Sequence, residues 1–397
     1  MSNEAVKPPI RIGLLWHSAG STNLGVGALT IANMKLVQGV ADELGLDAQF
    51  QVIGMRDNRV SYAALKGTDA YAIDSLSLIN PAGSWKAIRS RDCVIDIGGG
   101  DSFADIYGLK RFLFLWLTKM MAIWQGVPLL MAPQTIGPFR KFLYRTLAKV
   151  AMEGTRAVVV RDSVSLTFLK EVAPKAHGVL SVDVAFNLPY ESHAAERGGK
   201  KTRIGINVSG LLFNEAESGN NRFGLDVDYA VLSRRFIRAM LDRPDTEVHL
   251  IVHVQSAGGK GWDEDSSLAD SLKAEFPDVI RAPNFEGPSE AKSYISGLDF
   301  LVAGRMHACI AAFSAGVAVV PIAYSRKFSG LFEMLDYPWM VPVKGVGDDE
   351  AFAMLMGCLE RRDELANTAS VGMTKVRALQ EAYRDELRKL LTEAAAR

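Results

Sequence analysis

DFLVAGRMHACIAAFSAGVAVVPIAYSRK, residues 299–327, reads as a short apolar strand, a glycine-led turn, an apolar helix over Ala308–Ala315 and a second strand over Ala318–Ile322. Working outward, the same alternation of short apolar strands with longer helical patterns fills nearly the whole chain, which implies parallel sheets flanked by helices. Toward the N-terminal side of the quoted stretch, strands are expected near Arg203–Val208, Glu247–His253 and Val279–Ala282, with Asp299–Val302 opening the stretch itself. Beyond it one more is expected near Met340–Val343, where Pro342 allows only an edge strand. In the first half, strands are expected near Ile10–Trp16, Ala48–Ile53, Cys93–Ile97, Pro128–Met131 and Ala157–Val160. Helices are expected between them near Ala28–Leu44, Arg111–Trp124, Arg140–Glu153 and Ser163–Glu171. The fold class is α/β.

A chain of 397 residues exceeds the ~250–300 at which one hydrophobic core stops growing, so two Rossmann-like domains with a cleft between them are expected. The polar, glycine-bearing segment YESHAAERGGKKT (190–202) has linker composition and sets the division: an N-terminal α/β domain over 1–195 and a C-terminal one over 196–345. Charged helices over 346–397 have room to pack back on the first domain. No internal repeat or low-complexity tract interrupts this plan. Lys plus Arg and Asp plus Glu both number 45, so no bulk field holds nucleic acid or an anionic surface, and a phosphorylated substrate must be met locally. Cys93, Cys309 and Cys358 lack metal or disulfide spacing and read as reduced core residues. Met1–Pro9 has no apolar signal-type segment, which points to the cytoplasm. Phe112–Ala132 is apolar enough to mimic a membrane span, but Lys119, Gln125, Gly126 and Pro128 divide it into a helix and a strand.

Ligands of open parallel sheets bind beyond the carboxyl ends of strands, which directs attention to the residues after each one. After the third strand, Gly98-Gly99-Gly100-Asp101-Ser102 allows close backbone approach with amides facing an anion; an ordinary tight turn fits the run as well. After the first, His17-Ser18 and Thr22-Asn23-Leu24-Gly25-Val26-Gly27 open a helix and suit either phosphate or a simple cap. Gln134 after the fourth is a candidate sugar contact. Arg161 after the fifth is a candidate anion ligand or a salt-bridge partner of a nearby carboxylate, with Asp162 as helix N-cap.

In the second half, Gly304-Arg305-Met306-His307 places a guanidinium and an imidazole together at a strand end, beside a core helix. Burying them needs compensation, which an anion held in Arg fork geometry supplies, as would a structural Arg–His pair. Tyr324-Ser325-Arg326-Lys327 brings two more cations to the same edge. His253 ends an apolar strand and precedes Asp263-Glu264-Asp265, whereas His249 lies inside the strand. The spacing of His249 and His253 on a strand holds the rings apart, so no metal site is expected. Neither a Walker loop nor a dinucleotide fingerprint occurs.

Taken in order, NLGVGAL (23–29), DIGGGDSF (96–103), PQTIGPF (133–139), VRDSVS (160–165), SVDVAF (181–186), RIGINVSG (203–210), LIVHVQ (250–255) and GRMHACIAAFSAGVAVVPIAYSRKFSGLFEML (304–335) resemble the polysaccharide pyruvyl transferase family over roughly residues 11 to 340. The last is the most specific piece. Two departures stand out: Val26 occupies a position that is acidic in many members, and no proline precedes His253. The resemblance implies a GT-B-like fold, phosphoenolpyruvate as co-substrate with no resident cofactor, and a pyruvate ketal formed on a sugar of a cell-surface polysaccharide or its lipid-linked precursor. Transferred residue by residue, it implies His307 and Arg305 as catalytic groups. Arg161, Arg305, Met306, His307 and Lys327 would bind the donor. Asn23, Gly99, Gly100, Asp101, Gln134, His253 and Tyr324 would contact substrate. Exposed apolar residues of Arg111–Trp124 would let the enzyme approach a membrane-borne acceptor, though that helix fits a core position equally. Competing readings are a GT-B glycosyltransferase using a nucleotide sugar and a catalytically silent sugar-binding protein of an assembly complex.

Overall fold

The computed structural model describes residues 8–57, 59–219, 221, 223–255 and 262–397, without the side chain of Arg326. Residues 1–7, read above for a signal segment, and the Arg326 cation lie outside that description. The chain forms two all-parallel sheets. The first contains β1 (Pro9–Leu15), β2 (Asp47–Gly54), β3 (Asp69–Ala72), β4 (Cys93–Asp96), β5 (Leu129–Gln134), β6 (Ala157–Val160) and β7 (Gly178–Leu180), in the order β3-β2-β1-β4-β5-β6-β7. The second contains β8 (Thr202–Asn207), β9 (Thr246–Leu250), β10 (Ile280–Arg281), β11 (Phe300–Ala303), β12 (Ala318–Ala323) and β13 (Val341–Pro342), in the order β10-β9-β8-β11-β12-β13. In both sheets the strand order reverses direction beside the first strand, between β1 and β4 and between β8 and β11. Sheets wound this way leave a crevice at the carboxyl ends of those two strands.

The central strands carry near-continuous apolar runs because helices cover both faces of a parallel sheet. Leu15, Val94, Met131 and Val160 anchor the first core; Ile204, Leu250, Val302 and Val320 anchor the second. β3 and β7 are edge strands that the sequence pattern did not disclose. β3 reads DAYA and is largely exposed, so it shows no apolar run, and β7 has three half-buried residues. Pro342 does stand at an edge, on β13. Cys93 and Cys309 are buried and Cys358 half-buried, and all three are free thiols.

The chain divides into two compact units. One holds residues up to Ser21 with Leu29–Asn187 and Arg377–Arg397; the other holds Thr22–Ala28 and Leu188–Val376. The division therefore falls at Asn187/Leu188, ahead of the residue 195 expected from composition, and the segment expected as a linker is packed along the second unit. Ser293 and Ser296 accept from the amides of Glu191 (2.9 Å) and His193 (2.8 Å). Arg197 donates to the carbonyls of Ala315 (2.7 Å) and Gly316 (2.9 Å). Polar composition signalled hydrogen bonding here rather than freedom. The final helix runs over Arg362–Ala395, and its last part packs in the first unit, where Tyr383 donates to Asn33 (2.7 Å).

Candidate functional site

In the first unit, the residues after β1 and β4 spend their polar groups internally. Gly98, Gly99 and Gly100 all adopt positive φ (53°, 60° and 89°), a backbone that only glycine takes without strain. Of the two readings of this run, an anion-facing loop and an ordinary tight turn, the hydrogen bonds fit the second: Gly99 N–H donates to Trp16 O (3.2 Å) and Gly100 N–H to Ile97 O (2.8 Å). Asp101 accepts from the Tyr107 hydroxyl (2.8 Å). Gln134, expected as a sugar contact, is fully buried and donates to the carbonyl of Asp96 (3.0 Å) and to its carboxylate (3.1 Å). That carboxylate also pairs with Lys119 at 3.1 Å, with both side chains excluded from solvent. Arg161 is buried, bonded to Thr135 (3.0 Å) and to Asp183 (2.6 Å), so the salt-bridge alternative describes its state here.

The loop after β1 has the geometry of an anion nest, but its occupant belongs to the protein. Asp57 accepts from the amides of Ala19 (2.8 Å) and Gly20 (2.9 Å) and from the Ser18 hydroxyl. His17 is buried, one ring nitrogen on Leu15 O (3.1 Å) and the other on Asn33 (2.9 Å). Burial pushes its pKa down to about 4, outweighing the backbone bonds that favour the cation. The folded value lies below the ordinary ~6.5 of an unfolded histidine, so the neutral ring stabilises the fold above pH ~6.5 and that stability drains as pH falls toward 4, by about 3 kcal/mol. A His17→Gln variant should therefore show a flatter loss of urea-denaturation midpoint between pH 7 and pH 4 than the wild type; parallel curves would contradict the assignment.

The second unit brings several expected residues together. β8 and β11 end at Asn207 and Ala303, and Gly304 follows in a tight fit: a Cβ there would lie 2.7 Å from the Tyr229 hydroxyl. Arg305 then caps the helix Met306–Ser314. Its guanidinium is nearly enclosed and clamped by two carboxylates, Asp265 (2.7 Å) and Asp263 (2.7 Å). Asp265 is buried at 1% exposure while the Asp263 side chain is half exposed. Asp265 also accepts from the amides of Gly210 (2.9 Å), His253 (3.2 Å) and Val254 (3.1 Å). One carboxylate thus fixes the ends of β8, β9 and β11 against each other. The sequence offered it only as part of an acidic run; its position three loops deep has no one-dimensional signature.

His253 lies one bond from this hub, buried, beyond the end of β9. Burial first, and then the nearby His307 and Arg305, push its pKa down to about 3, so it is a neutral ring at physiological pH. The segment Thr22–Ala28 closes the other side. Asn23 bridges Val254 antiparallel, Leu24 N–H donates to His253 O (3.0 Å) and Gln255 N–H to Thr22 O (2.8 Å). Gly25 is pressed on the His307 imidazole so closely that a Cβ would collide with Nδ1. Asn23, His253, Arg305, Met306 and His307 therefore form one constellation. Tyr324 and Lys327 stand at the end of β12, where Tyr324 packs between Phe223 and Phe328 (5.3 Å to each). It lines an open pocket of about 380 Å³ with Ser325, Ser329, Glu333, Met340 and Lys344. Among the described residues no cluster of three or more His, Cys, Asp or Glu is arranged to hold a metal.

Two parallel doubly wound sheets, with a polar constellation at the switch point of the second, define a GT-B-like α/β protein. Solved structures bear out that class. Sucrose-phosphate synthase from Thermosynechococcus elongatus superposes with a TM-score of 0.58 at 12% identity, covering 98% of this chain and 100% of that one. HepE of Anabaena, solved with UDP-glucose, gives 0.54 at 10% identity over 98% and 99%. The family model described as polysaccharide pyruvyl transferase matches residues 34–326, and the chain belongs to that family. A curated relative, the amylovoran biosynthesis protein AmsJ of Erwinia amylovora, is 22% identical over 304 residues, 74% of this chain and 71% of its own length.

Proposed function

We propose that this chain transfers the pyruvyl group of phosphoenolpyruvate to two hydroxyls of one sugar, forming a ketal and releasing phosphate. The observation that carries it is the packing of Gly25 and His253 against Arg305 and His307 of the family's most specific motif, in one site at the β8/β11 switch point. The bonds balance as follows. A proton adds to the donor's methylene carbon while a sugar oxygen bonds to the adjacent carbon; phosphate departs from that carbon with its bridging oxygen; the second sugar oxygen takes its place. The first hydroxyl's proton can become the methyl proton and the second leaves on phosphate. His307 shuttles them, since an imidazole has one nitrogen to accept a proton and another to donate one.

Arg305 receives the donor's anionic end. Asp263 and Asp265 neutralise it, and the half-exposed Asp263 is the exchangeable partner: donor oxygen replaces it on Nη1 while Asp265 holds the guanidinium still. Lys327, in the first turn of the helix Arg326–Met334, adds charge against the leaving phosphate. Arg161, Gly99, Gly100 and Asp101 belong to the other unit, where Asp183 already pairs with Arg161, and they are not part of this donor set. The pocket beside Tyr324 suits the acceptor, since a ring face stacks on the aromatic while Glu333, Ser325 and Ser329 meet hydroxyls.

Calorimetry tests this directly. Phosphoenolpyruvate should bind the wild type and not Arg305→Ala, and Asp263→Ala should bind it a few-fold more tightly because a competing carboxylate is gone. Binding of UDP or GDP without phosphoenolpyruvate would instead make the chain a nucleotide-sugar glycosyltransferase. An unchanged affinity in both variants would remove Arg305 from the donor site.

A further inference from the structure

We propose that the chain docks onto anionic lipid bilayers through one face of the first unit, formed by Ile106, Tyr107, Leu109, Leu113, Phe142 and Leu143. Phe142 is 84% exposed, Leu143 55%, Ile106 54% and Leu109 47%, which is unusual company for four large apolar side chains on adjoining segments. The segments adjoin because Asp105 N–H donates to Pro138 O (3.0 Å) and the Asp105 carboxylate accepts from the Arg140 amide. The helices that follow, Leu109–Trp124 and Phe142–Glu153, are locked side by side by Phe112 against Tyr144 (4.7 Å) and by Trp116 donating to Leu147 O (2.8 Å). The helix Leu109–Trp124 is otherwise core, with Phe112, Leu115, Met120 and Met121 buried, so only its first turns take part.

Charge selects the occupant. Exposed Lys110, Arg111, Arg140 and Lys141 adjoin the apolar residues along the same two segments, in a chain whose cations and anions are equal in number. The facing acids are few and engaged: Asp101 with Tyr107, Asp105 with the Arg140 amide and Glu171 with Arg145 (2.8 Å). Neither helix has an acidic residue in its first turn. Lys and Arg at a helix N-terminus oppose the helix dipole, an unfavourable placement that lipid phosphates would turn into a favourable one. Protein interfaces are depleted in Lys, whereas apolar and aromatic side chains ringed by Lys and Arg are what a headgroup boundary accepts.

The test uses the full chain and unilamellar vesicles. Phosphatidylcholine vesicles containing about 30% phosphatidylglycerol should retain the protein in flotation, pure phosphatidylcholine should retain much less, and added salt should release it. The exposed double substitution F142S/L143S should cut partitioning roughly tenfold while leaving the thermal midpoint unchanged, and K110E/K141E should abolish the preference for anionic lipid. Equal partitioning of wild type and F142S/L143S would overturn the proposal. So would a dimer in sedimentation velocity that F142S/L143S dissociates without any vesicle binding, since the face would then belong to a second copy. Phosphoenolpyruvate binding is read separately, so loss of either finding leaves the other standing.

Discussion

His307→Gln should keep phosphoenolpyruvate binding within a few-fold of wild type and lower turnover by about 10²–10⁴, the usual worth of a positioned proton donor and acceptor. The imidazole is the second residue of its helix and is wedged against Gly25, so the ring's direction is set before any ligand arrives. Glutamine preserves much of the volume and a hydrogen-bonding end but cannot carry a proton at neutral pH. The measurement is phosphate release with an extract of lipid-linked glycans as acceptor, set beside calorimetry of the donor. Near-normal turnover in the variant would remove His307 from the proton path. A parallel loss of donor affinity would make it a binding group instead. His253 is the poorer candidate for the role, because burial, with His307 and Arg305 nearby, lowers its pKa to about 3 and makes the ring a weak base.

Asp265→Ala should be the most damaging substitution to the fold of the second unit, by about 3–5 kcal/mol. It removes the carboxylate that accepts from three loop amides and from Arg305, leaving a nearly enclosed guanidinium with Asp263 alone and buried amides without acceptors. Asp265→Asn should cost less, since its carbonyl still accepts, yet it should weaken donor binding because Arg305 is no longer held by charge. Urea midpoints for the two variants, with phosphoenolpyruvate affinity for the second, check both parts. Wild-type stability in Asp265→Ala would mean that the loops are fixed by something other than this hub.

The α/β class was legible because strands such as β6, β11 and β12 are apolar runs and most of the covering helices are longer than the strands they join. The edges were not, since β3 presents polar and exposed positions that carry no periodic signal. At the site, residue type after a strand end singled out GRMH and the Asn23 loop, and the fold packs these two segments together. Residue type did not tell which groups are already satisfied. Gln134 looked like a loop amide and is a core one; the Gly99 and Gly100 amides serve backbone carbonyls, as in a tight turn; the anion nest after β1 already holds Asp57. Each of these depends on a partner distant in the chain, and only three-dimensional closeness reveals it.

Gly25 carries a consequence for anyone wishing to handle the second unit by itself. The wall against which His307 rests is encoded near the beginning of the chain, while the rest of that unit starts at Leu188. A fragment expressed from Leu188 to Val376 would leave Val254 without its strand-like neighbour and His307 facing water. A synthetic peptide carrying residues 22–28 would be the missing tile, and its capture by the fragment would make this corner of the molecule a split reporter.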